Sequence, residues 1–164
     1  MEIERKFLLK NVPEHLDSYP SKIIEQAYLC TSPVIRIRKQ NDDYFLTYKG
    51  SGLMVREEHN MILSKDGYEH LKGKMDGILI KKTRFLIPLD TPFFADNYTI
   101  PSEKFTLMIE LDVFHDELAP LILAEIEFPD EEMANAFQMP DWFLEDVTSD
   151  PSYQNCNMCF PNEN

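Results

Sequence analysis

The chain of 164 residues carries a net charge of −13 and 43% hydrophobic side chains. That is enough apolar material for one core, and too acidic an average for a general nucleic-acid binder, whose phosphate contacts need a basic face. No run approaches the roughly 18 apolar residues of a membrane span. The opening Met1-Glu2-Ile3-Glu4-Arg5-Lys6 alternates charge where a signal peptide would place a basic start and an apolar run. Cys30 stands far from Cys156 and Cys159, an odd set of thiols that suits a reducing compartment, so a cytoplasmic protein is expected. The Cys-x-x-Cys spacing lacks a second pair or a histidine at zinc-finger distance and is read as incidental. The charge is uneven: 15 of the 16 Lys and Arg, but only 12 of the 29 Asp and Glu, fall in residues 1–84, so that stretch is +3 and the remainder −16.

In chain order, period-two patterning predicts a strand over 2–9, a short helix near 13–19, and strands over 22–30, 33–40, 43–50 and 53–62. Thr31-Ser32-Pro33, Asn41-Asp42-Asp43 and Gly50-Ser51-Gly52 supply the turns between them. A helix over 64–75 follows, with Ser64 as its N-cap. Then come a strand over 77–87, a proline-bearing loop from Pro88 to Pro101, strands over 105–113 and 121–128, and a helix over 130–138 opened by Asp130-Glu131-Glu132. Residues 149–164 read as a docked segment that becomes a loose tail. The expected organisation is one domain over 1–155 and a C-terminal tail over 156–164. About eight strands with connections too short for crossovers imply a mainly β, antiparallel fold with a few helices outside.

In a strand, residues two apart share a face. Here that face repeatedly carries charge: Glu2, Glu4 and Lys6; Arg36 and Arg38; Arg56 and Glu58; Lys82 and Arg84; Glu110 and Asp112; Glu125 and Glu127; with Lys49 aligned to Thr47. The intervening positions are largely apolar, among them Ile3, Ile37, Leu46, Phe85, Ile109, Leu111 and Ile126. A single such strand is an ordinary half-wet sheet. The whole set points to a closed barrel with its charged faces inward and its apolar outer face under the helices. Like charges crowded there cost several kcal/mol each unless compensated, and the compensating partner must be ionic and of both signs. A polyphosphate with a divalent cation meets that need, because Arg and Lys grip phosphate oxygens while carboxylates give hard oxygen ligands. Trp142 is read as an anchor for the C-terminal segment, and His15, His59, His70 and His115 as surface residues.

Met1-Glu2-Ile3-Glu4-Arg5-Lys6-Phe7 resembles the Glu-x-Glu-x-Lys signature of the CYTH superfamily, the triphosphate tunnel metalloenzymes. The similarity continues in family order through Arg36-Ile37-Arg38, Thr47-Tyr48-Lys49-Gly50, Arg56-Glu57-Glu58, Lys82-Thr83-Arg84, Glu125-Ile126-Glu127, and Val147-Thr148 with Asp150, Tyr153 and Asn155. The resemblance implies an eight-stranded antiparallel tunnel and metal-dependent hydrolysis of inorganic triphosphate, with Mg²⁺ or Mn²⁺ as cofactor. It implies Glu2, Glu4, Glu125 and Glu127 as metal ligands, with Asp150 as a further candidate. Lys6, Arg36, Arg38, Lys49, Arg56, Lys82 and Arg84 would bind phosphate, with Tyr28 near the substrate. Glu58 would assist or orient water, and Lys6 or Lys82 would serve the leaving oxygen. Glu110 and Asp112 are read as orienting the bases by ion pairs. Asn60 departs from the family, where this inward position is often Glu. Other activities of the same family stay open: thiamine or nucleoside triphosphate hydrolysis and class IV-type adenylate cyclisation. A non-enzymatic polyphosphate-binding module is the alternative from another class. The expected partner is a small-molecule triphosphate, not a membrane, and the oligomeric state, monomer or homodimer, is open.

Overall fold

The alternation of charge and apolar side chains is realised as a barrel of antiparallel strands in the computed structural model, which describes residues 1–103 and 105–161. The strands are β1 (Glu2–Leu9), β2 (Ser21–Thr31), β3 (Val34–Gln40), β4 (Asp43–Lys49), β5 (Val55–Arg56), β6 (Glu58–Ile62), β7 (Asp76–Leu89), β8 (Phe93–Phe94), β9 (Leu107–Phe114), β10 (Ile122–Glu127), β11 (Phe137–Gln138) and β12 (Phe143–Asp146). The helices are α1 (Lys65–Lys72), α2 (Glu131–Ala136) and α3 (Asn155–Met158). Pairing runs β1–β10–β9–β7–β2–β3–β4–β6, and β5 returns to β1 through Glu2↔Arg56 and Ile3↔Val55, which closes the circuit. The other half of that β1 edge is taken by β12, through Phe7↔Asp146 and Leu8↔Glu145.

The expected strand over 53–62 is split at Glu57, where the chain passes from pairing with β4, a ladder that ends on Gly50 N donating to the Glu57 carbonyl at 2.9 Å, to pairing with β1 through Glu2↔Arg56. Counting β5 and β6 as one broken strand gives the eight-stranded wall that was expected, and β8, β11 and β12 are additions to it. The helix expected near 13–19 is a single 3-10 turn, Leu16–Ser18, because His15 takes a left-handed conformation (φ 57°) that stops propagation. Ser64 caps α1 as expected, its Oγ accepting from Gly67 N at 3.0 Å. The helix over 130–138 is capped by Asp130, which accepts from Met133 N at 2.7 Å, but it ends at Ala136. Phe137 turns extended to pair with Phe94, so aromatic strand pairing wins over helix continuation.

The core lies outside the barrel wall. Phe7, Ile109, Leu111, Ala124 and Ile126 face outward into a cluster with Met133, Ala134, Phe137 and Phe143, and Trp142 packs against it. Arg5 ties this layer together: its Nη1 donates to the carbonyls of Ala134 (2.6 Å) and Phe137 (2.9 Å), and its Nε to Asp146 at 3.0 Å. Tyr68 of α1 covers Ala27 and Ile37 on the opposite side. A third cluster closes one end of the barrel, where inward-facing Tyr28, Val34, Ile80, Phe114 and Leu123 meet Val147, Met158 and Cys159. Residues 156–160, expected in the tail, are thus docked on the barrel, whereas 162–164 of that tail lie outside the described residues.

Candidate active site: a mixed-charge cavity in the barrel

Because outward positions are apolar, the charged members of each strand meet inside and line a cavity of about 150 Å³. Its wall carries Glu2, Glu4 and Lys6 from β1, Tyr28 from β2, Arg36 and Arg38 from β3, Lys49 from β4, Arg56 and Glu58 from β5 and β6, Arg84 from β7, Glu110 from β9, and Glu125 and Glu127 from β10. Cross-strand register sets the neighbours: Lys6↔Glu125, Glu4↔Glu127, Glu125↔Glu110, Arg84↔Asp112 and Lys49↔Glu58.

On one side, bases and acids neutralise each other. Arg84 is the hub. Its Nε and Nη2 each reach Asp112 at 2.7 Å, Nη2 reaches Glu125 at 2.5 Å, and Nη1 pairs with Glu110. Lys6 Nζ pairs with Glu125 and lies 2.7 Å from Glu4. Burial opposes the Lys6 charge, but Glu125 and Glu4 outweigh it and hold the amine above the ordinary lysine range, so Lys6 stays protonated. Burial likewise opposes the Glu125 and Asp112 carboxylates, and their cationic neighbours hold both below the usual range. Glu110 and Asp112 both pair with Arg84, and Asp112 also with Lys82.

Toward β4 and β6 a polar relay crosses the wall. Arg36 Nη2 donates to Thr47 Oγ1 (3.1 Å), Thr47 to Asn60 Oδ1 (2.6 Å), and Asn60 Nδ2 to Glu58 Oε1 (2.6 Å). Lys49 Nζ then bridges Glu58 (2.7 Å) and Glu2 (2.8 Å). Asn60 therefore supports Glu58 from an exposed position. Burial would raise the Glu58 carboxyl, but Lys49 dominates and brings it to about 2.

Elsewhere the cavity is unbalanced. Arg36 and Arg38 meet no carboxylate within ion-pair distance among the described residues, and the Nε of each is buried without a hydrogen-bond partner. Burial, then Arg36 and Arg84, lower Arg38 to about 10. Glu127 is the converse: burial and the carboxylates of Glu110, Glu4 and Glu58 raise it, and it has no ion pair among the described residues. Glu4 Oε1 and Glu58 Oε2 sit near lysines but out of hydrogen-bond alignment. The five buried side-chain atoms that lack a hydrogen-bond partner among the described residues are Glu4 Oε1, Glu58 Oε2, Arg36 Nε, Arg38 Nε and Gln154 Nε2, and all five residues line this one cavity.

Two expected site residues are not on the wall. Lys82 faces inward but is wholly buried beyond the wall at the closed end, opposite Phe114, with Nζ 2.5 Å from Asp112 and 3.5 Å from Asn155 Oδ1. Burial, against the pull of Asp112, lowers it to about 8. Asp150 is exposed and spends its carboxylate on the local turn, accepting from Ser152 N at 2.9 Å and Ser152 Oγ at 2.7 Å. It is not brought to the cavity. Tyr28 does line it, 2% exposed, its phenol pushed up to about 12 by burial. Gln154, Asn155 and Cys156 also line it. Of these only Asn155 carried a sequence signal, because an aperiodic Gln- and Asn-bearing segment does not reveal that it folds back onto a barrel end. The four histidines are exposed, as expected.

A circuit of antiparallel strands around a cavity with unmatched guanidinium and carboxylate groups defines a class: a tunnel-like barrel with a charged interior. The chain belongs to the CYTH family, whose domain model matches residues 1–131. It is 36% identical over 158 residues to the inorganic triphosphatase of Nitrosomonas europaea, covering 94% of this chain and 93% of that protein. It is 32% identical over 165 residues to the inorganic triphosphatase of Acetivibrio thermocellus, covering 96% and 92%. The crystal structure of the inorganic triphosphatase NE1496 superposes with a TM-score of 0.64 at 32% identity, over 97% of this chain and 94% of that one.

Proposed function

We propose that this protein hydrolyses the terminal phosphoanhydride of inorganic triphosphate inside the barrel, with a divalent cation as cofactor. The observation that carries this reading is a set of buried atoms without a hydrogen bond in one cavity, three N–H donors and two carboxylate oxygens whose lysine neighbours are out of alignment, which a phosphate chain and a cation would satisfy together. The similarity to two inorganic triphosphatases over nearly the whole chain supports the choice of substrate.

The donor types suit a hard cation, since Glu2, Glu4 and Glu127 offer carboxylate oxygens and Glu127 has its charge uncompensated; no three such ligands are gathered at metal-holding distance among the described residues, so Glu2 and Glu4 would exchange lysine contacts for the ion. With Glu125, these are the residues that would hold Mg²⁺ or Mn²⁺, which would neutralise phosphoryl oxygens of the scissile group. Arg36, Arg38, Lys49, Arg56 and Arg84 bind and align the phosphate chain, which is most of what phosphoryl transfer requires. Lys6, protonated and on the wall, donates to the leaving phosphate oxygen. Lys82, behind the wall, holds Asp112 and acts through Arg84. Glu58, at about 2, is too weak a base to take a proton from water at neutral pH and instead orients the attacking molecule. We place the protein in the cytoplasm, supported by the odd number of its cysteines and the wide spacing of Cys30 from the other two. Among the described residues no helix is long and apolar enough to cross a membrane.

The test is phosphate release from tripolyphosphate, thiamine triphosphate and ATP with Mg²⁺ or Mn²⁺, alongside detection of cyclic AMP. Tripolyphosphate should show the highest kcat/KM, with no turnover in a chelator. Preferred use of ATP, or formation of cyclic AMP, would overturn the assignment.

A further inference from the structure

Gln154 belongs to no strand and to no charge pattern, yet it is 3% exposed and stands in the cavity wall. Its Nε2 is buried without a partner, in a fold where buried amides are normally satisfied. The residue immediately precedes α3, whose Cys156 and Met158 pack with Tyr28 and Val34. Those two flank Arg36: Tyr28 is its cross-strand partner, and Val34 lies two residues before it on the same face of β3. Arg36 Nε is itself unpartnered. Two orphaned N–H donors from distant parts of the chain therefore share one cavity, on the side where α3 packs.

We propose that Gln154 is a substrate-binding residue that donates its amide N–H to a non-bridging oxygen of the terminal phosphoryl group, next to Arg36. The proposal rests on the polyphosphate reading of the cavity, and adds that a segment outside residues 1–131 matched by the family model reads the end of the phosphate chain. The chemistry favours an uncharged donor there. Arg36 and Arg38 already lack carboxylate partners, so a further cation would add repulsion in the free protein, whereas an amide supplies a hydrogen bond to a charged acceptor without it. A carboxylate at the same place would repel the ligand.

The experiment is calorimetric titration with imidotriphosphate (PNPNP), the non-hydrolysable analogue of tripolyphosphate, in Mg²⁺, for wild type, Gln154→Leu and Gln154→Glu, with the melting temperature of each free protein. Gln154→Leu should bind about 10- to 100-fold more weakly, the loss of one hydrogen bond to a charged group, at an unchanged or raised melting temperature because a buried orphan donor is gone. Gln154→Glu, which keeps the shape, should bind more weakly still. Wild-type affinity in either variant overturns the role of Gln154 while leaving the polyphosphate reading intact. A wild-type protein that does not bind PNPNP overturns both.

Discussion

Arg36 and Arg38 are cations that lack a carboxylate partner, and Glu4 is a carboxylate with one oxygen out of hydrogen-bond alignment, so substitutions at the two places should fail differently. Arg38→Gln should raise the KM for tripolyphosphate by about 10- to 100-fold, with no recovery at high metal concentration. Glu4→Gln should lower activity and recover in part as metal is raised, since the amide is a weaker hard-oxygen ligand. Steady-state kinetics across a metal titration reads both, and identical profiles would sink the division of labour. Lys82 has a different signature. Its folded pKa of about 8 is below the unfolded value near 10.4, so the unfolded state binds more protons in that window and wild-type stability should gain as pH rises from 8 toward 10. Lys82→Met should lack that gain, and should be no less stable at pH 7. The pH dependence of the denaturation midpoint, wild type minus variant, measures this; a flat difference would show that Asp112 compensates the amine fully.

At the scale of elements, the attachment of α3 decides whether the barrel has a closed end. Ile78 N holds the Cys159 carbonyl at 2.8 Å, and Gly77, at φ +64°, lets the chain pass so close that an added Cβ would lie 2.1 Å from the same oxygen. Gly77→Ala should therefore cost about 2 kcal/mol through strain and collision and displace the segment that carries Gln154 and Asn155. Melting temperature should fall and KM rise together, and a variant with wild-type values of both would show that the segment is not anchored there. Local signals read α1 and the start of α2 correctly, because capping by Ser64 and Asp130 involves residues three apart. They missed the end of α2, the split at Glu57 and the docking of 156–160, because each depends on a partner distant in sequence: Phe94, Glu2 of β1, and the Tyr28–Val34 end of the barrel.

For the whole molecule, a cavity that gathers unmatched charge of both signs should make stability depend on ligand. Tripolyphosphate with Mg²⁺ at about 100 times its Kd adds ~2.7 kcal/mol by mass action, which for a chain of this size raises Tm by roughly 5–10 °C. A chelator should reverse the metal-dependent part, and no shift at saturation would rule out a polyphosphate cavity. The net charge of −13 need not oppose anion binding, since the bases that line the cavity come from residues 1–84, while acids such as Glu117, Glu131 and Glu132 are left on the surface.

By itself the sequence determined which face of each strand is charged, since alternation is a local property and a strand has no freedom to redistribute it. The inward Glu2, Glu4, Lys6, Arg36, Arg38, Lys49, Arg56, Arg84, Glu125 and Glu127 follow from that, while the antiparallel pairing follows from connections too short for crossovers and the exposure of His15, His70 and His115 from their place outside the strands. Only the tertiary structure decided depth and pairing along the barrel axis. Lys82 and Arg84 share a face, yet one is sealed behind Phe114 and Asp112 and the other lines the cavity. Asp150 caps a turn outside, and Gln154, four residues later, reaches the interior. Register and chain reversal set these outcomes, and both are fixed by contacts between segments far apart in sequence, which no local pattern encodes.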